Sequence, residues 1–515
     1  MPERFIPVAN LPNPNFDADD VPLTPEQMQQ LEEWQMTVGN WRGDHSVPSV
    51  GDHYRYMWKW DSLKAVVINA RRGDPDRAAL EFITLDKYRE TSTGFLANKI
   101  FATQKHKTWR DYPEARFFND NKKGSSYTQP PIAAWAALET YESYRTQGRQ
   151  AEGLAFLRHT YGSAEGSNFT GLQGEYAYFI SHRQNSATDA LIGIVHPNET
   201  GRDSDEANKP WLANRTHLMN PQREWLKMQR LGWRLGKLGR DPEGKRVDWI
   251  PEQVRKKYWV NDVMFNSLYV SNLRYVADIA SILADHASDV QQKTQYAQDV
   301  ETYRKHAAAV EIQILSNMWD AKQGFFYNLD KKGKKIAVDS VTGLFPLLLE
   351  NINDEQAKAL LDKLEDPEWF DTAYPIPSHA VRSRFYDPHP LHHIPGIRGL
   401  VASVVAPKRF KKEFTPPWSG PVWISMNHLL VEEGLVPWAE AHADTSPELA
   451  ARAMKIGRHI MEKTVELLAK NPKSMECYAP TTGEGIRVED FMWSLIGNHF
   501  EKFLALEKRM HELAA

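Results

Sequence analysis

Five short segments concentrate carboxylates, tryptophan, glycine and proline outside the apolar stripes of the predicted helices. They cover residues 56–61, 127–131, 196–204, 416–423 and 475–485. The third segment contains Glu199 and Asp203, with Asp205 just after it, and the fifth contains Glu476 and Glu484. Glycoside hydrolysis needs one protonated carboxyl group as proton donor and one carboxylate that acts on water or on the anomeric carbon. These five carboxylates are therefore the candidates for acid–base chemistry.

The chain has 17 tryptophans, and many of them lie in polar loops beside Asp, Gly, Pro or Gln. Aromatic rings stack on the C–H faces of sugars, and tryptophan is amphipathic enough to line a wet pocket. Packing in a large core explains some of these residues but not the loop clusters. We expect the aromatic residues of the first and fourth segments to hold a sugar ring, while Asp61 and Gln129 hydrogen-bond its hydroxyl groups.

Each segment alone has a simpler interpretation. The string from Glu199 through Gly201 to Asp203 is, in most proteins, a solvated turn. A Trp-Asp pair at a helix start, such as Trp60-Asp61, is more often an N-cap beside a packed ring. The functional interpretation therefore depends on the ordered set.

The elements that must position these segments are predicted to be helices. Thr24, Pro25 and Gln27 form the pattern of an N-cap, a first-turn proline and a capping box. Asp74-Pro75 and Ser446-Pro447 repeat the start signal. From apolar periodicity we predict helices over about 24–37, 60–72, from 74 onward, 130–148, 262–286, 290–318, 354–365, 420–434, 446–470 and 489–511.

The predicted helices come in pairs joined by loops rich in Trp, Pro, Gly and His, and no repeat of short period is visible. Paired helices with functional residues in their loops favour a toroid of helical hairpins whose loops form the site at one end. We expect an all-α fold and one catalytic domain over residues 1–515. Residues 150–260 are less regular and are expected to be an elaboration of it.

Composition excludes several functional classes. The net charge is −4, and the basic cluster 408–412 is interpreted as a solvated loop, so no nucleic-acid partner is expected. No apolar run approaches the ~20 residues of a membrane span, and the N-terminus does not resemble a signal peptide. The single cysteine, Cys477, excludes an intramolecular disulfide and fits a reducing compartment. We expect a cytoplasmic protein.

In this order the five segments resemble the motifs of glycoside hydrolase family 63 and of its clan relatives, the trehalases of family 37. Trp58, Trp60 and Asp61 are similar to the family's aromatic–Trp-Asp sugar-binding motif, and Gln129 with its two following prolines is similar to Ser-Gln-Pro-Pro. The similarity spans roughly residues 54–505.

Three segments carry the rest of the resemblance. Residues 196–203 are similar to His-Pro-Trp-Glu-Ser-Gly-x-Asp, whose last residue is the family's general acid, here Asp203. Residues 418–423 resemble Trp-Arg-Gly-Pro-x-Trp. Residues 476–483 resemble Glu-x-Tyr-x-Pro-x-Thr-Gly, whose Glu is the general base, here Glu476.

The resemblance implies an inverting α-glycosidase on an (α/α)₆ barrel that needs no metal or organic cofactor. Asp203 and Glu476 would then face each other about 6.5–9.5 Å apart, with a water between the base and the anomeric carbon. Burial against aromatic rings is expected to keep Asp203 protonated, while Glu476 stays ionised. The expected substrate-binding residues are Tyr56, Trp58, Trp60, Asp61, Gln129, Gly201, Trp418, Gly420, Trp423 and Tyr478.

The chain has no room for the N-terminal β-sandwich of the processing α-glucosidases of the family. It resembles the compact bacterial members, which include mannosylglycerate and glucosylglycerate hydrolases. The implied substrate is a small α-linked glucoside or mannoside, such as one of these two compounds, glucosylglycerol or an α-disaccharide. Asn198, Thr200 and Ser419 depart from the family pattern where Trp, Ser and Arg are usual, and they border the aglycone side.

Further reactive residues have weaker patterns. His389, His392 and His393 match no zinc spacing and are interpreted as part of a loop over the site. Cys477 follows the proposed base without an activating partner and is interpreted as a packed thiol.

Four arginines could pair with a substrate carboxylate, although each could equally have a surface role. They are Arg202, Arg215, Arg382 and Arg384.

Two more functions remain open. A sugar epimerase on the same barrel would need a histidine pair as acid and base, and an inactive carbohydrate-binding protein would have lost a catalytic carboxylate. The sequence also leaves open whether the chain forms homo-oligomers.

Overall fold

The computed structural model of the chain describes residues 5–51, 54, 56–100, 124–125, 127–166, 168–184, 190–211, 231, 256, 258–388 and 418–514. The structure is mostly helical, at 55% helix, which confirms the predicted helical class. Arg215, the histidines at 389, 392 and 393 and the basic cluster 408–412 lie outside the described residues. Within the described ranges, no helix combines the length and the apolar character needed to span a membrane.

The α-helices are α1 (Pro25–Trp34), α2 (Lys59–Arg71), α3 (Pro75–Asp86), α4 (Ala133–Thr146), α5 (Gln150–Tyr161), α6 (Gly171–Arg183), α7 (Val263–Asp285), α8 (Val290–Gln313), α9 (Asp354–Leu364), α10 (Ile424–Leu430), α11 (Val436–His442), α12 (Pro447–Ala469) and α13 (Glu501–Ala514). The π-helical turns Gln35–Gly39, Ile314–Met318 and Val431–Leu435 follow α1, α8 and α10. The 3₁₀ segments are Pro197–Thr200, Glu206–Asn208, Val341–Leu348 and Met492–Asn498.

The strands are short and antiparallel. They are β1 (Met57–Trp58), β2 (Lys99–Ile100), β3 (Ser163–Glu165), β4 (Asn168–Thr170), β5 (Val260–Asn261), β6 (Trp319–Asp320), β7 (Phe325–Phe326), β8 (Asn328–Asp330), β9 (Lys335–Ile336), β10 (Met475–Tyr478) and β11 (Gly485–Glu489). Strands β1–β2, β3–β4, β6–β7 and β10–β11 form pairs, and β5–β8–β9 form a three-stranded sheet.

The three helix starts predicted from N-cap and proline signals are confirmed. Thr24 Oγ1 accepts from the amide of Gln27, whose side chain returns a bond to the Thr24 amide, so the capping box is present. The Asp74 carboxylate likewise accepts from the amide of Arg77 at the start of α3. Helix α12 begins after Ser446 as predicted, but the Ser446 hydroxyl donates to Asp354 instead of capping the helix.

The predicted helix over 489–511 is wrong as a single element. A 3₁₀ segment ends at Asn498, and α13 begins only at Glu501. Between them, His499 Nε2 contacts Glu32 at 3.0 Å and its carbonyl oxygen accepts from Arg71 at 2.9 Å. These contacts with distant elements take the backbone out of helical hydrogen bonding.

The predicted start near residue 420 is also too early, since α10 begins at Ile424. Val422 pairs with the backbone of Tyr478 through hydrogen bonds of 2.8 and 2.9 Å. The backbone before α10 is therefore extended.

The prediction of an irregular region from residue 150 is wrong for its first part, because α5 and α6 lie there. Its glycines mark close packing. A Cβ on Gly153 would lie 3.0 Å from the side chains of Tyr141 and Tyr144, and one on Gly174 would lie 2.6 Å from the backbone of Phe169. Because glycine has no side chain, helices and strands approach each other closely at these positions. The glycine content of the sequence alone suggested loops instead.

The inner elements contact one another in a closed cycle. Helix α2 packs on α4, α4 on α7, and α7 on Val341–Leu348. That segment packs on α10 and Val431–Leu435, α10 packs on Met492–Asn498, and Met492–Asn498 returns to α2. Outer neighbours are α3 beside α2, α5 beside α4, α8 beside α7, α9 beside Val341–Leu348 and α12 beside α10.

The segments singled out in the sequence lead into the N-terminal ends of inner elements. Residues 56–58 precede α2, residues 127–132 precede α4, and residues 418–423 precede α10. The hairpin β10–β11 precedes Met492–Asn498, and a bridge from Ile194 to Val260 joins the third segment to the start of α7. Helix N-termini carry partial positive charge, so this end of the molecule favours carboxylates.

Candidate functional site

Glu476 is buried and held by two hydrogen bonds. Its side chain is in β10 and the residue is 3% exposed. Tyr54 Oη donates to Glu476 Oε1 at 2.9 Å, and Arg487 Nε donates to Oε2 at 3.0 Å. Both carboxylate oxygens therefore have fixed directions.

A β-bulge places Arg487 against Glu476. Met475 faces Glu489 while Cys477 faces Ile486, so two residues of β11 lie opposite the single residue Glu476. Arg487 is one of the two, with φ of +72°. This left-handed conformation costs a non-glycine residue about 1–2 kcal/mol. The site keeps it because the guanidinium then reaches the carboxylate.

Asp203 lies in the turn after Gly201, and it is exposed. The prediction that Asp203 is buried against aromatic rings is therefore wrong for this structure. The turn packs on α2: a Cβ on Gly201, whose φ is +71°, would lie 3.6 Å from Trp60 Nε1. Asp203 extends beyond that contact toward solvent.

The negative charges of Asp203 and Glu476 both raise the pKa values of Tyr54 and Asp61. Burial, followed by the charge of Glu476 and with a smaller effect of Asp203, raises the pKa of Tyr54 well above its usual value. Burial raises the pKa of Asp61 to about 7, Lys64 opposes this, and the charges of Glu476 and Asp203 add to it. The fold thus brings both predicted catalytic carboxylates to one place beside Tyr54 and Asp61.

Asp61 and Gln129 lie at the start of α2. Asp61 is in the first turn, and Gln129 Oε1 accepts from the backbone amide of Trp60 at 2.8 Å. Buried Lys59 connects the same segments, donating to Thr128 Oγ1, to the Gln129 carbonyl and to Glu175. Gln129 therefore positions α2, and its contact with a sugar stays a prediction.

The first carboxylate of the third segment, Glu199, has a structural role. It is buried and pairs bidentately with Arg183 at 2.7 and 2.8 Å. It also accepts from the amides of Val195 and Thr128. This set leaves Asp203 as the acidic residue of that segment that is exposed for proton transfer.

The departing residue Asn198 docks two segments. Asn198 Nδ2 donates to Tyr127 Oη at 3.2 Å, and the Tyr127 ring stacks on His196 with centroids 4.7 Å apart. Ser419, which also departs from the family pattern, directs its hydroxyl at Glu206, 3.2 Å from the nearer oxygen.

Asp205, a second candidate for the acid, belongs to a buried ion-pair cluster. One carboxylate oxygen of Asp205 accepts from Arg202 and Ser340, and the second oxygen contacts His379 Nε2 at 3.1 Å. Burial opposes ionisation, but the hydrogen bond from His379 and the charge of Arg202 dominate and lower the pKa of Asp205. Asp205 is a poor proton donor in this environment.

Asp205, Glu206 and His379 also form a group with the spacing of metal ligands, their ligand atoms lying within 4.8 Å. Arg202 and Lys209 lie beside the two carboxylates. A divalent cation could bind there only by replacing these ion pairs.

Glu484 and Cys477 are the remaining reactive side chains of the fifth segment. Glu484 is exposed in the β10–β11 turn. Cys477 is fully buried, and burial raises the pKa of its thiol well above the usual value, which confirms the prediction of a packed thiol.

The predicted aromatic residues form a connected wall. The rings of Trp418 and Trp423 stack in parallel with centroids 3.9 Å apart. Trp423 meets Trp493 edge to face at 5.3 Å, and Trp493 meets Trp60 at 6.3 Å. Trp493 lies outside the five sequence segments, yet it joins the first of them to the fourth.

The remaining predicted sugar contacts vary in exposure. Trp58 is half-buried beside Tyr54, whereas Tyr56 is buried. Gly420 lets its loop approach Pro388, since a Cβ there would lie 2.8 Å from the Pro388 nitrogen. Tyr478 has no exposed surface, and its hydroxyl accepts from the Met475 amide. The ring of Tyr478 belongs to the interior of the hairpin, and its contact with a sugar stays a prediction.

Two of the arginines proposed for a substrate carboxylate, Arg202 and Arg382, pair with carboxylates of the protein. Arg202 is fully buried between Asp205 and Asp262, so that proposal is wrong for Arg202. Arg382 pairs with Asp339 at the surface. A different cation, Lys99, lies beside the first segment, with Nζ 4.8 Å from the ring centroid of Trp58.

Comparison with known proteins identifies the class. The profile of the mannosylglycerate hydrolase MGH1-like glycoside hydrolase domain matches residues 54–494. The chain is similar to a solved structure of the family 63 mannosylglycerate hydrolase of Thermus thermophilus in complex with Tris and D-glycerate, with a TM-score of 0.64 at 22% identity over 93% of this chain and 99% of that chain. The fold is therefore that of a helical glycoside hydrolase.

Sequence relatives agree. The mannosylglycerate hydrolase of Thermus thermophilus is 26% identical over 88% of this chain and 96% of its own length. That of Rubrobacter radiotolerans is 23% identical over 92% of this chain and 97% of its own length. The chain belongs to the MGH1-like family of glycoside hydrolases, within family 63.

Proposed function

We propose that this chain is an inverting α-glycosidase of an (α/α)₆ barrel fold, with Asp203 as general acid and Glu476 as general base. The observation that carries the proposal is that the charges of Asp203 and Glu476, which are distant in sequence, both raise the pKa values of Tyr54 and Asp61. The closed cycle of inner elements supports the barrel.

The environments of the two carboxylates suit different roles. Glu476 accepts one hydrogen bond from a tyrosine and one from a guanidinium, and these are contacts of an ionised carboxylate. Asp203 is exposed. A substrate that binds over it would remove water from around the carboxyl group and favour its protonated form. This arrangement gives the acid and the base that hydrolysis needs.

The reaction then follows as a single displacement. Asp203 donates its proton to the glycosidic oxygen, and the bond from that oxygen to the anomeric carbon breaks. Glu476 takes a proton from a water molecule, whose oxygen bonds to the opposite face of the anomeric carbon. An α-linked substrate yields a β-configured sugar and a free alcohol.

The substrate class is a small α-linked glucoside or mannoside. Mannosylglycerate is the first candidate, because the relatives carry that activity in their names. Glucosylglycerate, glucosylglycerol and α-linked disaccharides complete the class. A cytoplasmic location is part of the same proposal.

The test is release of reducing sugar from this panel, followed by proton NMR of the earliest product. We expect turnover of at least one glycosylglycerate or glycosylglycerol and the β-anomer as first product. An α-anomer appearing first would refute inversion, and interconversion of sugars without hydrolysis would favour an epimerase. Sugar binding without any turnover would identify an inactive binding protein.

A further inference from the structure

A buried lysine lies against two rings of the aromatic wall. Lys64 is on α2, one turn after Asp61, and its side chain is fully buried. Its Nζ has no hydrogen-bond partner among the residues that the structure describes. Lysine is almost never fully buried unless it is paired.

Two indole rings replace the missing partners. Lys64 Nζ lies 3.8 Å from the ring centroid of Trp60 and 3.5 Å from that of Trp493. Both distances are well within the ~6 Å over which a ring face attracts a cation. The two rings meet edge to face, so the lysine fills the angle between α2 and Met492–Asn498.

The charges around Lys64 point to Asp61. Burial lowers the pKa of Lys64 well below its usual value, and the charge of Asp61 opposes that effect. The Met492–Asn498 segment contributes the Trp493 ring to this contact. The pKa of Asp61 is in turn affected by the charges of Lys64 on its own helix, Glu476 in β10 and Asp203 in the turn after Gly201.

We infer that Lys64 is a positioning residue for sugar binding: its ammonium group, held between Trp60 and Trp493, increases the fraction of Asp61 in the carboxylate form that accepts hydrogen bonds from sugar hydroxyls. This inference rests on the proposed glycosidase function. The two ring faces and Asp61 oppose the cost of burying the charge. Without that charge, Asp61 would face only the negative charges of Glu476 and Asp203.

The direction of the effect follows from these charges. Lys64 lowers the pKa of Asp61, which is nevertheless raised to about 7. Removal of the ammonium group therefore raises it further, because an opposite charge nearby changes a carboxyl pKa by about one to three units. A larger fraction of Asp61 would then be protonated at neutral pH than in the wild type and would lose acceptor capacity.

The test compares kcat/KM against pH for the wild type, Lys64→Met and Lys363→Met. Met keeps most of the side-chain volume and removes the charge. Lys363, on the outer helix α9, is a matched control away from the site. Its Nζ lies 4.4 Å from the ring centroid of Trp369. For Lys64→Met we expect the acidic limb to move up by at least about one pH unit, mainly through KM, with about tenfold lower kcat/KM at pH 6.

A second background isolates Asp61. The affinity for glucose and for mannose is measured by calorimetry across pH. Lys64→Met should shift the pH dependence of this affinity where Asp61 is present and not in the Asp61→Asn background. An unchanged acidic limb in folded Lys64→Met, or the same shift in the Asp61→Asn background, would overturn the inference. If Lys64→Met does not fold, Trp493→Leu removes one aromatic face, and an unchanged acidic limb in that variant would overturn the inference equally.

The proposed function is judged separately. Absence of wild-type turnover on the whole glycoside panel refutes the glycosidase proposal. An active wild type with an unshifted Lys64→Met variant refutes only the role of Lys64.

Discussion

Arg487 donates to Glu476 over 3.0 Å from within the bulge of its own hairpin. The residue has a left-handed backbone and is half-buried, so conformation and contact are linked. The β10–β11 hairpin therefore supplies both the proposed base and the cation that orients it.

This link predicts the effect of Arg487→Gly. Glycine adopts the same φ without strain but cannot reach the carboxylate. We expect kcat/KM to fall at least about tenfold, since a charge-assisted hydrogen bond contributes about 1.5–3 kcal/mol, while Tm falls little. Arg382→Gly, at an exposed arginine with an ion pair, is the control. A large loss of Tm with activity retained per folded molecule would contradict this assignment.

Tyr54→Phe tests the second hydrogen bond of the base. Because the pKa of Tyr54 is far above its usual value, the hydroxyl remains a donor across the working range. We expect kcat/KM to fall about 10- to 100-fold, corresponding to about 1.5–3 kcal/mol. Tyr88→Phe, at a half-buried tyrosine of the sequence after α3, should leave steady-state kinetics unchanged. Equal kinetics of Tyr54→Phe and the wild type would show that this bond does not matter for turnover.

The two carboxylates are separated by leaving-group chemistry. Asp203→Asn and Glu476→Gln should each reduce turnover of natural glycosides about 10²- to 10⁴-fold, the usual contribution of an acid or base. An activated 4-nitrophenyl α-glycoside needs no proton donor, so it should restore turnover in Asp203→Asn and not in Glu476→Gln. Glu484→Gln, in the exposed turn, is the control, and near wild-type turnover of either catalytic variant would refute its role.

Stability should fall in alkaline solution through His499. Contacts with Glu32 and Glu501 outweigh burial and raise the pKa of His499 to about 9, from a usual value of 6.5. The stabilisation is thus complete below pH 6.5 and is lost as pH rises through about 9. It amounts to at most about 3.5 kcal/mol, at about 1.4 kcal/mol for each pKa unit.

The measurement is the free energy of unfolding in urea at pH 6 and pH 9.5. The decrease between these values should be smaller in His499→Gln than in the wild type. His511→Gln, at an exposed histidine of α13, should behave as the wild type does. An equal decrease in His499→Gln and the wild type would assign the pH dependence to different groups.

Sequence patterns predicted what depends on neighbours along the chain. The capping box at Thr24 and the start at Asp74 are local, and both are present. The glycines of α5 and α6 misled because their reason is contact with distant elements. The same holds for the break at His499, whose partner Glu32 is 467 positions away.

The candidate site divides in the same way. Asp203 and Glu476 come from motifs, and their roles remain predictions. Tyr54 could not be found by pattern, because its partner lies 422 positions away. Lys64 is close to Asp61 in the sequence, and only the position of Trp493 makes it unusual.

The hydrogen bond from Tyr54 to Glu476 joins the beginning of the matched region to its end. During synthesis, the proposed base emerges when the α2 end of the cycle has long been made. A nascent chain that ends before Arg487 lacks one of the two hydrogen bonds that hold Glu476 in its final orientation. Catalytic activity would therefore show that the cycle of inner elements has closed. A protein truncated before the β10–β11 hairpin should be inactive even if its earlier helices have folded.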